Sequence, residues 1–338
     1  MARRPRTTKK AATDDADLLL SAAKLAATLY DEKSTQNAHR HARLQGRFMT
    51  ATNGFVAYGC PVQEDVAAAP NTAQLLRALE RVQGHVTIAQ LDGSRLIVKG
   101  ERFRATVDCA PLDTIPPILP DEPVGIITPA VLDALAAVVP LTVDKHQKLY
   151  CSAVLLANGS AVATNGICLA QAWHGVDMPP GLLIPKASVT AILRYPAPLT
   201  VFGYGKGSLT LYTESGAWVK VQLYVDEYVT FDHLFEVQPG WTPEAIPEGL
   251  TDGVEAVAPF CDTGRVIIRN GLTASDNEKA THTVDGAPDA GTFDAAQITA
   301  VLKRATHWDY ATARESRVLF QGNNYRALLA AIRSKHAI

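Results

Sequence analysis

Apolar residues recur at helical spacing in six stretches of this chain, and these stretches form three pairs. The first helix of each pair is predicted over residues 18–30, 131–139 and 250–260. The second helices are predicted around the apolar positions Leu75, Ala78 and Leu79; Val189, Ile192 and Leu193; and Ile298, Val301 and Leu302. These second helices lie 114 and 109 residues apart, so the pattern indicates one unit repeated three times.

Strand patterns separate the helices in each unit. Val219, Val221 and Leu223 alternate with polar neighbours, as in a half-buried antiparallel strand. A hairpin is predicted in which Val86 and Ile88 alternate against Leu96 and Val98 across the turn at residues 92–94, and residues 39–44 also have a strand pattern. The order helix, strands, helix, strands predicts an α+β fold in which two helices per unit cover one face of an antiparallel sheet.

A tetrapeptide repeats with the same period. Its copies are Ala51-Thr52-Asn53-Gly54, Ala163-Thr164-Asn165-Gly166 and a relative, Ala274-Ser275-Asp276-Asn277, at intervals of 112 and 111 residues. Proline clusters at residues 111–123 and 239–247 are typical of linkers between such units, and Asn71 is a predicted N-cap within the first unit. We therefore predict a tail at residues 1–13 and domains at residues 14–122, 123–243 and 244–338.

Composition and charge are those of an ordinary globular protein with an unusual tail. The chain is 47% hydrophobic and 20% charged, without an apolar run of membrane-spanning length or a signal peptide, so we expect a cytoplasmic location and no membrane partner. Five of the 32 basic residues and none of the 34 acidic residues lie in residues 1–13. Two interpretations of the tail remain open, namely contact with nucleic acid phosphates and a solvated terminus without function.

No motif predicts catalysis or a cofactor. His39 and His41 could share a strand face, but no acidic or cysteine partner lies nearby in sequence, so we predict no metal site. The glycines at residues 203–207 precede a strand rather than a helix, which favours a hairpin over a phosphate-binding loop. The cysteines are odd in number and unpaired in spacing, which indicates free thiols: Cys60, Cys109, Cys151, Cys168 and Cys261. We therefore expect a non-enzymatic protein.

The repeated unit resembles the bacterial DNA polymerase III beta subunit, the beta sliding clamp, over nearly the whole chain. The similar segments are residues 154–156, 162–166, 169–170, 183–186, 291–294 and 325–333. Two features differ from the family pattern. Ile167 and Cys168 replace the usual His-Arg pair, and the chain is shorter and lacks a Met-Pro-Met-Arg-Leu-like end. These differences indicate a diverged clamp, of bacterial or bacteriophage origin.

The resemblance implies a head-to-tail homodimeric ring of six domains that encircles duplex DNA without reading its sequence. Helix residues that would then face the DNA, with two from a nearby loop, are Lys24, Arg77, Arg81, Lys186, Arg194, Lys303, Arg304, Lys145 and Lys148. An alternative is that these cations lie on solvated outer faces. Ring closure would pair Phe103 and Ala105 with Phe260 of a second copy, although Phe103 could also be an ordinary core residue.

The resemblance also implies a hydrophobic groove for peptides of the replicative DNA polymerase and the clamp loader. The matching positions are Cys151, Thr164, Gly166, Ile167, Leu169, Leu329, Ala330 and Ile332. Gly166 would let a peptide backbone approach closely. The alternative is that Ile167 and Leu169 are core residues. A different class of function also remains open, namely a repeat scaffold that binds proteins without encircling DNA.

Overall fold

The computed structural model describes residues 11–235, 243–309 and 317–331, with side chains described from Leu18 onward. This part of the chain is α+β, and every strand pairing in it is antiparallel. The helices are α1 (Ala11–Ala27), α2 (Thr72–Leu79), α3 (Pro129–Val138), α4 (Lys186–Leu193), α5 (Leu250–Val257) and α6 (Ala295–Leu302). They pack as the pairs α1 with α2, α3 with α4, and α5 with α6, as the periodicity predicted.

Side-chain caps fix where two of these helices begin. Asn71 accepts a hydrogen bond from the Gln74 amide at 3.1 Å, at the start of α2. Asp294 accepts one from the Gln297 amide at 3.0 Å, at the start of α6. Each cap satisfies an amide that has no partner within its helix, and the carboxylate of Asp294 also lies at the positive end of the α6 dipole.

The strands are short. They are β1 (Arg43–Gln45), β2 (Phe48–Thr52), β3 (Val56–Pro61), β4 (Ala69–Pro70), β5 (Thr87–Asp92), β6 (Arg95–Lys99), β7 (Arg104–Ala110), β8 (Pro123–Ile126), β9 (Ala153–Ala157), β10 (Ser160–Thr164), β11 (Cys168–Trp173), β12 (Leu182–Pro185), β13 (Val201–Gly205), β14 (Ser208–Tyr212), β15 (Trp218–Gln222), β16 (Glu244–Ala245), β17 (Arg265–Arg269), β18 (Leu272–Ser275), β19 (Thr281–Thr283), β20 (Gly291–Asp294), β21 (His307–Asp309), β22 (Arg317–Gly322) and β23 (Tyr325–Ala330).

The chain divides into two compact units. Unit 1 combines the residues up to Ile126 with Tyr195–Gln222. It contains a seven-stranded sheet in the order β1-β2-β3-β15-β14-β13-β8 and a four-stranded sheet in the order β4-β7-β6-β5. Its main core packs Leu19 of α1 and Leu75 of α2 against Leu44, Leu96 and other buried strand residues.

Unit 2 comprises Ile127–Arg194 and the chain from Leu223 onward. It contains an eight-stranded sheet in the order β12-β9-β10-β11-β23-β22-β21-β16 and a four-stranded sheet in the order β19-β18-β17-β20. The two large sheets have the same internal plan, because β3 pairs with β15 in unit 1 as β11 pairs with β23 in unit 2. The three predicted domains follow the sequence repeat, with bounds that differ from these units, and they stay a prediction.

The structure corrects several predicted element boundaries. Residues 39–44 were predicted as one strand, but residues 37–39 form a 3-10 turn and the strand begins at Arg43. The first helix ends at Ala27 and the fifth at Val257, followed by a 3-10 turn. The sequence interpretation missed β8 next to the first proline cluster. The glycines at residues 203–207 lie in the β13–β14 hairpin, as predicted, and Ile88 pairs with Val98.

Candidate functional site

The candidate groove of unit 2 is built around the turn between β10 and β11. Asn165 Oδ1 accepts hydrogen bonds from the amides of Ile167 at 2.9 Å and Cys168 at 2.7 Å. Thr164 Oγ1 donates to the Cys168 carbonyl at 2.7 Å and accepts from the Gly166 amide at 3.1 Å. Gly166 has a φ of +88°, which favours glycine. Three residue types therefore determine the conformation of the turn, which is why the tetrapeptide is visible in the sequence.

Unit 1 contains the same turn between β2 and β3. Asn53 Oδ1 accepts from the amides of Phe55 at 3.1 Å and Val56 at 2.9 Å, and Thr52 Oγ1 donates to the Val56 carbonyl at 2.9 Å. Gly54 has a φ of +90°. A carbonyl in each turn also accepts a hydrogen bond from an amide at or next to the neighbouring strand. The Gln222 amide donates to the Phe55 carbonyl, and the Ala330 amide donates to the Ile167 carbonyl. The repeat is therefore a repeat of hydrogen bonds as well as of residue types.

The structure exposes some of the predicted groove residues and buries others. Ile167 is 54% exposed, and Gly166 beside it is also exposed. Ala330 is half-buried at the end of β23, and its amide bonds to Ile167. Leu169 and Thr164 are buried. The Leu169 side chain is therefore part of the core beneath the exposed residues and is not itself open to a peptide, as the alternative of a core role for Leu169 predicts.

Two other predicted groove residues are almost fully inaccessible. Cys151 is 1% exposed and Leu329 is 0% exposed. Along β23 the buried residues alternate with half-buried ones, so Leu329 points to the sheet face opposite Leu328. The groove role of Cys151 and Leu329 stays a prediction, and the burial of both side chains weighs against it. Ile332 lies outside the described residues.

The sequence interpretation missed an aromatic cluster on the Leu169 face. Leu328 pairs with Leu169 in the strand register and packs into the same cluster. Tyr228 packs edge-on against Tyr150 at 5.7 Å and against Phe231 at 6.0 Å between ring centroids. These rings lie in a loop and a 3-10 turn without periodic spacing, so no sequence signal connects them. They pack against the buried cluster of Leu155, Val162 and Leu169 on one face of the eight-stranded sheet.

The predicted DNA-contacting cations fall into two groups. The first group is exposed and, in the ranges that the structure describes, forms no ion pair: Lys24, Arg77, Arg81, Arg194, Lys145 and Lys148. Arg77 and Arg81 lie at the end of α2, beside Phe103 and Ala105, around a depression of about 350 Å³. Glu80 lines the same depression, so the two arginines leave a net positive charge there for an external anion.

The second group is already paired within the chain. Lys186 Nζ lies 2.9 Å from Asp144 and also donates to the Thr142 carbonyl at 3.1 Å. Lys303 lies 2.7 Å from Glu255, and Arg304 lies 2.9 Å from Asp133. These carboxylates offset the positive potential that the sequence alone assigns to Lys186, Lys303 and Arg304.

The two predicted ring-closing elements have different surroundings. The outer edge of β7 is paired with β4 only at Cys109 and Ala110, so its edge along residues 104–107 carries no partner strand in the described part of the chain. Phe103 and Ala105 are half-buried against the unit 1 core. Phe260 is 56% exposed after α5, and its carbonyl accepts a hydrogen bond from Asn277 at 2.9 Å. An open strand edge and an exposed aromatic ring are both features that a second chain could cover.

The described residues give no basis for metal or disulfide chemistry. No cluster of three or more His, Cys, Asp or Glu side chains suits a metal ion there, and the five cysteines are free. Burial raises the pKa of both Cys60 and Cys109 to about 11, which keeps these thiols protonated and weakly nucleophilic. Over the same residues no helix is long and apolar enough to cross a membrane.

Comparison with known proteins identifies the architecture. No protein-family model matches the sequence, and a search of curated proteins finds no match. Among solved structures, the DNA polymerase III subunit beta from Pseudomonas aeruginosa is 14% identical, with a TM-score of 0.77, over 94% of this chain and 98% of that one. The Helicobacter pylori beta clamp bound to a DNA ligase peptide is 13% identical, with a TM-score of 0.75, over 94% and 99%. The chain therefore has the fold of the bacterial DNA polymerase III beta sliding clamps.

Proposed function

We propose that this protein is a DNA sliding clamp, a processivity factor that encircles duplex DNA and tethers the replicative polymerase. The observation that carries the proposal is the clamp fold over 94% of the chain, together with helices packed in three pairs. Two copies would supply six helix pairs around one hole. Such a ring holds DNA by topology, so it needs neither base contacts nor a catalytic site.

Ring closure by a homodimer is the first requirement of this function. The free edge of β7 and the exposed Phe260 are the elements that support it. Light scattering after gel filtration should give twice the chain mass of 36.2 kDa, and negative-stain images should show a ring with a central hole. A chain that stays monomeric at tens of micromolar would contradict the proposal, because three domains of this kind do not close a ring.

Topological retention on DNA tests the function without a clamp loader. We would incubate the protein with a linear duplex that has cohesive ends and then ligate the duplex into a circle. Threaded rings should remain on the circle in high salt and leave it when a restriction enzyme cuts the DNA. Electrostatic binding should disappear in high salt on circles and linear DNA alike. Dimers that are never trapped would favour a protein-binding scaffold that does not encircle DNA.

We further propose that peptides of the replicative polymerase and the clamp loader dock on the unit 2 surface around Ile167. The Helicobacter pylori clamp of the same fold was solved with a DNA ligase peptide. In this chain, the exposed Ile167 and the neighbouring Gly166 and Ala330 offer the apolar contact and the open backbone that such a peptide needs. The protein would act in the cytoplasm on replicating DNA. The three-domain division at residues 123 and 244 is part of the same proposal.

A further inference from the structure

An apolar cavity lies in unit 1, at the other end of the large sheet from the Asn53 turn. Its volume is about 370 Å³, and the extended segment 117–120 covers it on one side. Phe48 of β2 and Trp218 of β15 form its floor, with ring centroids 6.5 Å apart and planes within 17° of parallel. Ile118 and Leu119 form a wall. A concave, largely apolar space of this size is typical of a ligand-binding pocket.

Two cationic side chains hold the segment that forms this wall, Lys220 at Leu119 itself and Arg43 at the residues just before the wall. Arg43 Nη1 donates to the carbonyl of Leu112 at 2.8 Å and to that of Ile115. Lys220 Nζ donates to the Leu119 carbonyl at 3.0 Å and forms an ion pair with Asp121 at 3.0 Å. The cavity is therefore formed before any ligand arrives, which reduces the entropic cost of binding.

Unit 2 shows what fills the equivalent space. Counting along the paired strands from the two matching turns gives the equivalent positions in the two units. Arg43 corresponds to Leu155, Thr50 to Val162 and Trp218 to Arg326. In unit 2, Leu155 and Val162 are buried in a cluster with Phe235, and Tyr228 and Phe231 pack against it. A segment rich in aromatic side chains thus fills the position in unit 2 that corresponds to the cavity in unit 1.

The segment that covers unit 2 is also acidic. Asp232 pairs with Arg326 at 3.2 Å, while the Arg326 guanidinium lies 4.0 Å from the centroid of the Phe235 ring. Arg43 lines the unit 1 cavity and hydrogen-bonds to the neutral Gln45 side chain and to backbone carbonyls, with no carboxylate partner in the described ranges. The cavity therefore combines an aromatic floor with a cation that is not neutralised.

We propose that this cavity binds an acidic, aromatic segment of a partner protein. One aromatic side chain would lie on the half-buried Phe48 ring, next to the buried Trp218 ring and beneath Leu119, and a neighbouring carboxylate would pair with Arg43. The site is separate from the surface around Ile167 and does not require ring closure or DNA, so it can fail while the clamp function holds. It would give each chain a second place to recruit a protein.

The probe is a synthetic peptide with the sequence of residues 224–235, the acidic aromatic segment of this chain. The full chain is labelled with 5-fluorotryptophan, and Trp218→Phe assigns the Trp218 fluorine resonance. We expect the peptide to shift that resonance in a saturable way. A peptide with Asn and Gln in place of its acidic residues should bind about tenfold more weakly, because it cannot form the ion pair with Arg43.

Two variants and one control locate the binding. Thr50→Phe fills the cavity and should weaken binding about tenfold or more, since an anchor pocket carries most of the affinity. Leu119→Ser removes the cover from an exposed position and should also weaken it. Phe55→Ala removes an exposed ring of the same sheet outside the cavity and should leave the affinity unchanged.

Three results would overturn the proposal. The first is an unshifted Trp218 resonance at millimolar peptide, including the case in which only Trp173 of unit 2 shifts. The second is wild-type affinity in both folded variants, Thr50→Phe and Leu119→Ser. The third is equal affinity for the acidic and the neutral peptide.

Discussion

Salt dependence can separate the cations that contact DNA from those that are paired within the chain. In one variant, four exposed cations without an ion pair are replaced by glutamine: Lys24, Arg77, Arg81 and Arg194. In the control, two ion pairs are replaced together, Lys303 with Glu255 and Arg304 with Asp133, so that the net charge does not change.

The expected magnitudes follow from counterion release. Removing one cation that binds a phosphate lowers the slope of log K against log salt by about 0.9, so removing four lowers it by about 3 to 4 for each chain that touches the duplex. The paired cations lie 2.7 and 2.9 Å from carboxylates, so the control should change the slope by less than about 1. This difference is large enough to resolve across a roughly fourfold range of salt.

The assay is fluorescence anisotropy of a labelled duplex, titrated with protein at several salt concentrations. Circular dichroism and light scattering first establish that both variants keep the fold and the oligomeric state of the wild type. A fourfold variant with the wild-type slope would show that these cations face solvent. A control whose slope falls as much as that of the fourfold variant would assign the phosphate contacts to the paired cations instead.

Three further predictions concern the turn, the interface and the groove. Asn165→Ala should lower the free energy of unfolding by about 1–3 kcal/mol, because the amides of Ile167 and Cys168 lose their acceptor. Asn165→Asp keeps an acceptor oxygen and should be nearly neutral, and urea denaturation measures both variants. Phe260→Arg should give folded monomers by light scattering, while Val225→Arg at a position 89% exposed should leave dimers, and persistent dimers in the first variant would refute the interface. Ile167→Asp puts a charge on the apolar contact and should weaken binding of a cognate polymerase peptide about tenfold or more. Phe55→Asp, in the matching turn of unit 1, should leave that binding unchanged, and equal titration curves for the two variants would contradict the groove.

The helices and the repeated turn could be predicted from the sequence because both depend on nearby residues. Helical spacing identified the six helices of the described ranges, and Asn71 was predicted as the cap that the structure shows. The turn is visible because Thr164, Asn165 and Gly166 each have a local role in it. Errors in the helices were confined to their ends, where the last turns of two predicted helices became loop or 3-10 structure.

The charges and surfaces of the candidate sites depend on residues far apart in the chain. The pairing of Arg304 with Asp133 joins positions 171 residues apart, and nothing in the local pattern signals it. The same holds for Leu328, which reaches Leu169 only through the β11–β23 pairing. The sequence therefore identified the repeated element and overestimated the free positive charge.

The pairing of β3 with β15 has a consequence for how the chain is made. The first large sheet cannot gain the strand that pairs with β3 until Trp218–Gln222 have been synthesised, although the first repeat ends about a hundred residues earlier. During that interval a nascent chain presents the open edge of Val56–Pro61, which other strands can pair with. The first repeat therefore cannot complete its sheet before the second is made, and the second cannot complete its own before β23 of the third.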